Sequence, residues 1–278
     1  MSTTGFAARY RAAVDARGRL CAGIDPHAAL LEQWGLPVSV DGLRAFAEAA
    51  VAGLGPTAAV IKPQVAFFEA FGSAGLAVLE DTIAGCRAAG ALVLADAKRG
   101  DIGSTMAAYT TAWLDEGSPL CSDAVTVSPY LGFGALSPAV EQARATDRGV
   151  FVLARTSNPD GQALQTARTA AATTVAQSIV DDGAAVNADG SATVGVVVGA
   201  TREHGLDLRE LAGPILSPGL GAQGATAADL ASIFGDTADL AWLLPAASRS
   251  ILGAGPDPAA LAAAVGATRD EIEAALSS

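Results

Sequence analysis

The sequence predicts an α/β fold of the (β/α)8 TIM-barrel class, formed as a single domain over residues 1–278, and three features carry that expectation. Eight short apolar runs recur at fairly even spacing, most of them continuously apolar as parallel strands covered on both faces are. Helical patterns with recognisable starts lie between them. The turn after the first run reads "DPHAAL", not the G-x-G-x-x-G of a dinucleotide-binding doubly wound sheet, and about 250 residues is the usual length of one such barrel.

The expected strands are "LCAGID" (20–25), "AAVIKP" (58–63), "ALVLAD" (91–96), "DAVTVS" (123–128), "GVFVLA" (149–154), "TVGVVV" (193–198), "GPILSP" (213–218) and "LAWLLP" (240–245). Asp41 precedes Leu43, Phe46, Ala50 and Leu54, and Ser73 precedes Leu76, Leu79, Ile83 and Cys86, both close to a 3.6-residue period. Ser137-Pro138 and Asp257-Pro258 each join a capping side chain to a proline suited to the first helical turn. Thr226 with Asp229 reads as a capping box, and "DDGAAVNADGS" (181–191) as a polar insertion between the fifth helix and the sixth strand.

Hydrophobic residues make up 51% of the chain and charged residues 17%, with no apolar run of membrane length, so a soluble protein with no membrane partner is expected. A net charge of -12 argues against a nucleic-acid surface, which needs clustered cations, and confines any phosphate site to a local patch. The first twenty residues lack the apolar stretch of a signal peptide, giving cytoplasmic as the expected location. Cys21, Cys86 and Cys121 are odd in number and dispersed, so they read as small core residues. His27 and His204 read as loop residues without a visible partner, and Trp34, Trp113 and Trp242 as core.

In a (β/α)8 barrel, chemistry sits at the C-terminal ends of the strands. Those ends are polar here: Asp25, Lys62, Asp96 and Lys98, Thr156 and Ser157, Ser217, then Ser248 and Arg249. Converging buried charges must pair, and a lysine flanked by carboxylates stays protonated and able to deliver its proton. The two-residue strand period puts Asp96 and Lys98 on one side if strand geometry persists that far, whereas Asp101 must fold back or reach a neighbouring chain. The alternative is an ordinary rim network of ion pairs. "SPGLGAQGAT" (217–226) and "AASRSIL" (246–252) follow strands seven and eight, where barrels commonly hold a phosphate on glycine-rich backbone, with Arg249 as a cationic fork.

Taken in order, "GIDPH", "IKPQVAFFEAFG", "LADAKRGDIGST", "SPYLG", "ARTSNPDG", "SPGLGAQG" and "SRSIL" resemble the orotidine 5'-phosphate decarboxylase family, in particular its longer bacterial (type 2) branch. The resemblance implies removal of CO2 from orotidine 5'-phosphate to give UMP in de novo pyrimidine synthesis, with no cofactor and no metal. It implies a catalytic array of Lys62, Asp96, Lys98 and Asp101, in which Lys98 protonates the C6 carbanion and Asp96 faces the departing carboxylate. Substrate-binding positions carried over are Asp25 on the ribose, Ser157 and Gln223 by the pyrimidine, and Gln223 with Arg249 on the phosphate, together with Pro218 and Ser248. Asp101, Ile102 and Thr105 would come from a neighbouring subunit, making a homodimer. Ser248 stands where many members have glycine. Two rivals remain at this point: a Mg²⁺-dependent sugar-phosphate lyase of the same suprafamily, which resembles a pattern with an acidic ligand where this chain has Lys62, and a nucleotide-phosphate binding protein without chemistry.

Overall fold

A computed structural model describes residues 5–200, 203–221 and 224–277. Its eight strands close into a barrel in chain order: β1 (Cys21–Ile24), β2 (Val60–Pro63), β3 (Leu92–Arg99), β4 (Ala124–Val127), β5 (Gly149–Arg155), β6 (Val194–Val198), β7 (Ile215–Pro218) and β8 (Leu243–Ala247). All neighbours are parallel, and β1 meets β8 with Cys21 opposite Ala246. The expected (β/α)8 architecture is therefore present, each apolar run supplying one strand.

Helix α1 (Phe6–Arg17) precedes the barrel. α2 (Ala28–Gln33) and α3 (Val40–Leu54) follow β1, α4 (Val65–Glu69) and α5 (Gly72–Ala88) follow β2, α6 (Gly103–Leu114) follows β3, and α7 (Ser137–Ala145) follows β4. α8 (Gln162–Gln165) and α9 (Val175–Asn187) follow β5, α10 (Ala227–Phe234) follows β7, and α11 (Arg249–Leu252) and α12 (Pro258–Leu276) follow β8.

Strand alternation divides the apolar residues into two cores. Val93, Val125, Val196 and Leu243 pack outward against helix residues such as Leu43, Phe46, Leu79 and Leu261, while Cys21, Val60, Leu94, Phe151, Val197, Leu216 and Leu244 fill the barrel. Phe6 and Tyr10 of α1 close the inner core at the N-terminal ends of the strands. Tyr10 stacks on Trp242 at 5.6 Å between ring centres, and its hydroxyl donates to the Trp242 carbonyl at 3.4 Å. Arg9 forms an ion pair with Asp123, whose second oxygen accepts the Val93 N–H at 2.9 Å. The three cysteines are buried thiols, and burial pushes Cys21 up to about 12, which keeps it from acting as a nucleophile at neutral pH.

Several local expectations are corrected. The eighth strand begins at Leu243, because Asp239 accepts the Ala241 N–H and turns Leu240–Trp242 into a 3-10 helix. Ser39, not Asp41, caps α3, and α5 begins at Gly72, ahead of Ser73. Ser137 is the first residue of α7 and caps nothing, since a 3-10 turn over Phe133–Leu136 leads directly into the helix. Residues 181–187 belong to α9, which buries Ile179, Val180, Gly183 and Asn187; the Asn187 amide donates to the Val194 and Leu211 carbonyls at 2.7 and 2.9 Å. His204 has partners: its Nδ1 accepts the Leu206 N–H at 3.0 Å and its ring stacks on Phe234. His27 lies against Phe67, with 6.0 Å between ring centres. Asp257 and the Thr226–Asp229 capping box act as expected.

Removing the carboxylate at Asp123 orphans a buried strand N–H and frees the Arg9 anchor of α1. Asp123→Ala is expected to lower unfolding stability by about 2–3 kcal/mol, measured by denaturant titration.

Candidate active site

The inner core is apolar at one level and polar at the next, and the two-residue period of the strands sets the boundary. Val60 is followed inward by Lys62, Leu94 by Asp96 and Ala124 by Thr126, each pair being one apolar residue of the inner core and one polar residue nearer the mouth. Cys21 on β1 is followed by Gly23 and then Asp25, and Ala246 on β8 by Ser248.

Lys62 and Asp96 are each 7% exposed, so neither charge can be solvated by bulk water. Asp96 instead takes four donors, two on each oxygen. Lys98 Nζ at 2.6 Å and Thr126 Oγ1 at 2.9 Å reach Oδ1; Lys62 Nζ at 2.9 Å and Gln64 Nε2 at 2.8 Å reach Oδ2. Burial works against the Asp96 charge, but the two ammonium groups outweigh it and hold the carboxyl well below its usual range. Burial likewise opposes the charge on Lys62, and the facing Asp96 and Asp25 carboxylates overcome it, raising its pKa. Lys98 differs in having a side chain 46% exposed, so it borders the open mouth.

Strand geometry does not persist through Lys98. Ala95 pairs with Val125 but Arg99 pairs with Val127, so β3 uses two more residues than β4 over that stretch. Lys98 sits at φ 48°, in the left-handed region that costs a non-glycine residue about 1–2 kcal/mol. This bulge, rather than simple alternation, returns the Lys98 ammonium to Asp96. Arg99 leaves the array and pairs with Glu69 of α4.

On the other side of Lys62 a cavity is lined by Asp25, Pro218, Gly219, Ser248 and Arg249. Gly23 makes it possible: a Cβ there would lie 2.7 Å from Ser248 Cβ. Asp25 Oδ1 and Ser248 Oγ are buried without a hydrogen-bond partner among the described residues, the condition of groups that a polar ligand completes. Arg249 is exposed and forms no ion pair among the described residues. The adjoining loop turns on Gly219, Gly221 and Gly224, all at positive φ. Gln223 lies outside the described residues.

The remaining expected positions are less gathered. Ser157 follows β5 and packs on Gly199, where a Cβ would approach its backbone nitrogen to 2.8 Å. Asp101 accepts the Ile102 N–H at 2.8 Å and forms no ion pair among the described residues; Ile102 is 61% exposed, and Thr105 is exposed at the start of α6. The chain alone thus brings three members of the expected tetrad together and leaves Asp101 apart. Ser217 is fully buried between Leu216 and Pro218, which face the interior and the cavity, so it does not reach the mouth. Gln64 and Thr126 were missed. Each is a neutral polar residue at an inward position, and for Thr126 the strand period was the available signal.

A model of the orotidine 5'-phosphate decarboxylase / HUMPS family matches residues 18–265. An orotidine 5'-phosphate decarboxylase of Salinispora arenicola is 57% identical over 274 residues, 98% of this chain and 98% of that one. Another, from Corynebacterium glutamicum (strain R), is 55% identical over 268 residues, 95% of this chain and 96% of the other. A crystal structure from Streptomyces avermitilis, provisionally described as the same enzyme, matches with a TM-score of 0.95 at 52% identity, covering 100% of this chain and 98% of that one.

The ionic array makes a definite contribution to stability as a function of pH. Asp96, with a lowered folded pKa, contributes fully above its unfolded value and loses that contribution as pH falls through the folded one. Lys62, with a raised folded pKa, contributes fully below its unfolded value and loses it as pH rises through the folded one. Denaturant unfolding of the protein and of Asp96→Asn should give a stability difference that is flat from about pH 5 to 9 and shrinks below about pH 4.

Proposed function

The chain belongs to the orotidine 5'-phosphate decarboxylase / HUMPS family, and on that premise we propose how its residues divide the conversion of orotidine 5'-phosphate into UMP and CO2. The observation that carries the reading is the Lys62–Asp96–Lys98 array, because a carbanion at C6 needs preorganised positive charge that water cannot supply. The C6–carboxylate bond breaks, its electron pair remains on C6, CO2 departs, and Lys98 Nζ gives C6 a proton. Lys98 regains a proton from solvent, which its exposed side chain can meet.

Asp96 faces the substrate carboxylate, and Lys62 keeps Asp96 ionised in its buried setting. Asp25 takes a ribose hydroxyl through its unsatisfied oxygen. Arg249, with Gln223, Pro218 and Ser248, holds the phosphate end, and Ser157 with Gln223 meets the pyrimidine. Phosphate binding far from C6 then supplies energy realised at the reacting carbon. Asp101, Ile102 and Thr105 serve the site of a second copy, so the working form is a homodimer; the exposure of Ile102 and the isolation of Asp101 support this. The barrel acts as one domain over residues 1–278, needs no cofactor, and works in the cytoplasm.

The charge of Lys62 favours this reading over the Mg²⁺-dependent lyase. An ammonium buried beside Asp96 and Asp25 occupies the position a divalent cation would need, and would repel it.

Purified protein mixed with orotidine 5'-phosphate in EDTA should lose the orotate absorbance and release CO2 in step. Absence of turnover in EDTA, with Mg²⁺-dependent activity on a sugar phosphate, would overturn the assignment. Lys98→Ala should abolish turnover while retaining UMP binding. Arg249→Ala should raise KM by about 10- to 100-fold, the worth of a charged hydrogen bond, with a smaller effect on kcat.

A further inference from the structure

Thr126 is 1% exposed and faces into the barrel from the middle of β4, between the outward Val125 and Val127. Its hydroxyl has one proton and accepting lone pairs, and the structure uses both functions. The proton goes to Asp96 Oδ1 at 2.9 Å, and a lone pair accepts the Lys98 backbone N–H at 2.9 Å. That N–H is free for it because the β3 bulge removes residues 96–98 from the ladder with β4. One hydroxyl therefore fixes both the orientation of the carboxylate and the left-handed backbone of the neighbouring lysine.

We propose that Thr126 is a positioning residue for the decarboxylation, its hydroxyl locking Asp96 and the bulged backbone of Lys98 into the one geometry in which the Lys98 ammonium is aimed from Asp96 toward the substrate carbon. The inference rests on the functional reading above and adds to it a residue that touches the catalytic groups from behind. Packing alone does not explain the choice of threonine. Valine has the same shape and β-propensity and would fill the same space, but it leaves the Lys98 N–H without its acceptor and Asp96 with three donors.

The test compares the intact protein with Thr126→Val and Thr126→Ser, measuring kcat and KM for orotidine 5'-phosphate and calorimetric affinity for UMP, which lacks the reacting carboxylate. Expected is a fall in kcat of about 10- to 100-fold for Thr126→Val, KM and UMP affinity near the wild-type values, and recovery of kcat in Thr126→Ser. Wild-type kcat in Thr126→Val, or a loss in Thr126→Ser equal to that in Thr126→Val, would overturn the proposal while leaving the decarboxylase reading intact. Should Thr126→Val fail to bind UMP, Thr126→Cys takes its place, since a thiol keeps the volume but is a weak hydrogen-bonding group. Reduced kcat with UMP binding retained in that variant supports the role, and undiminished kcat removes it. A wild-type protein inert toward orotidine 5'-phosphate would overturn the functional reading, and this inference with it.

Discussion

Burying the Asp96 carboxylate dictates the upper half of the barrel. An ionised carboxyl with so little exposure is stable only if its oxygens are saturated, and four donors from consecutive strands or strand ends do this: Lys62 and Gln64 from β2, Lys98 from β3 and Thr126 from β4. Each donor has requirements of its own. Lys62 needs a second carboxylate nearby, supplied by Asp25, and Lys98 needs a bulge. The three strands are thereby tied together at the mouth through polar groups, where the inner core beneath is filled by apolar packing.

The molecule separates these two regimes along the barrel axis. Toward the N-terminal ends of the strands, Phe6, Tyr10 and the inner-core side chains close the interior. Toward the C-terminal ends stand the left-handed Lys98, the positive-φ glycines of the 219–224 loop, and the unsatisfied oxygens of Asp25 and Ser248. Unmet hydrogen bonds lower stability, and the place of the Asp25 and Ser248 oxygens beside the cavity is the pattern of a site whose completion requires a ligand.

Much of this was legible in the sequence, for identifiable reasons. The strands are read from continuous apolar runs that only a doubly covered parallel sheet tolerates, and Asp25, Lys62, Asp96 and Lys98 are conspicuous because charges rarely end such runs. What escaped was set by side-chain direction or by long-range partners. Its place at the end of an apolar run suggests Ser217 for the mouth, but the period turns it outward, and the same period turns the less conspicuous Thr126 inward. The end of α9 is hidden because Asp181, Asp182, Gly183 and Asn187 give the stretch a turn-like composition, while the buried Asn187 is recruited by the Val194 and Leu211 carbonyls. The Lys98 bulge was illegible, since it depends on a hydroxyl 28 residues later in the chain.

The plug formed by α1 also bears on the order of assembly. Its anchors lie 114 residues away at Asp123 and 232 residues away at Trp242, so the helix has no complete seat until strands from the middle and the end of the chain have come together. Contacts across such separations reward the chain only after most of its loops have been closed. A helix that precedes all eight strands in the chain is thus among the last to dock. Until the barrel closes, its Phe6 and Tyr10 rings have no apolar seat.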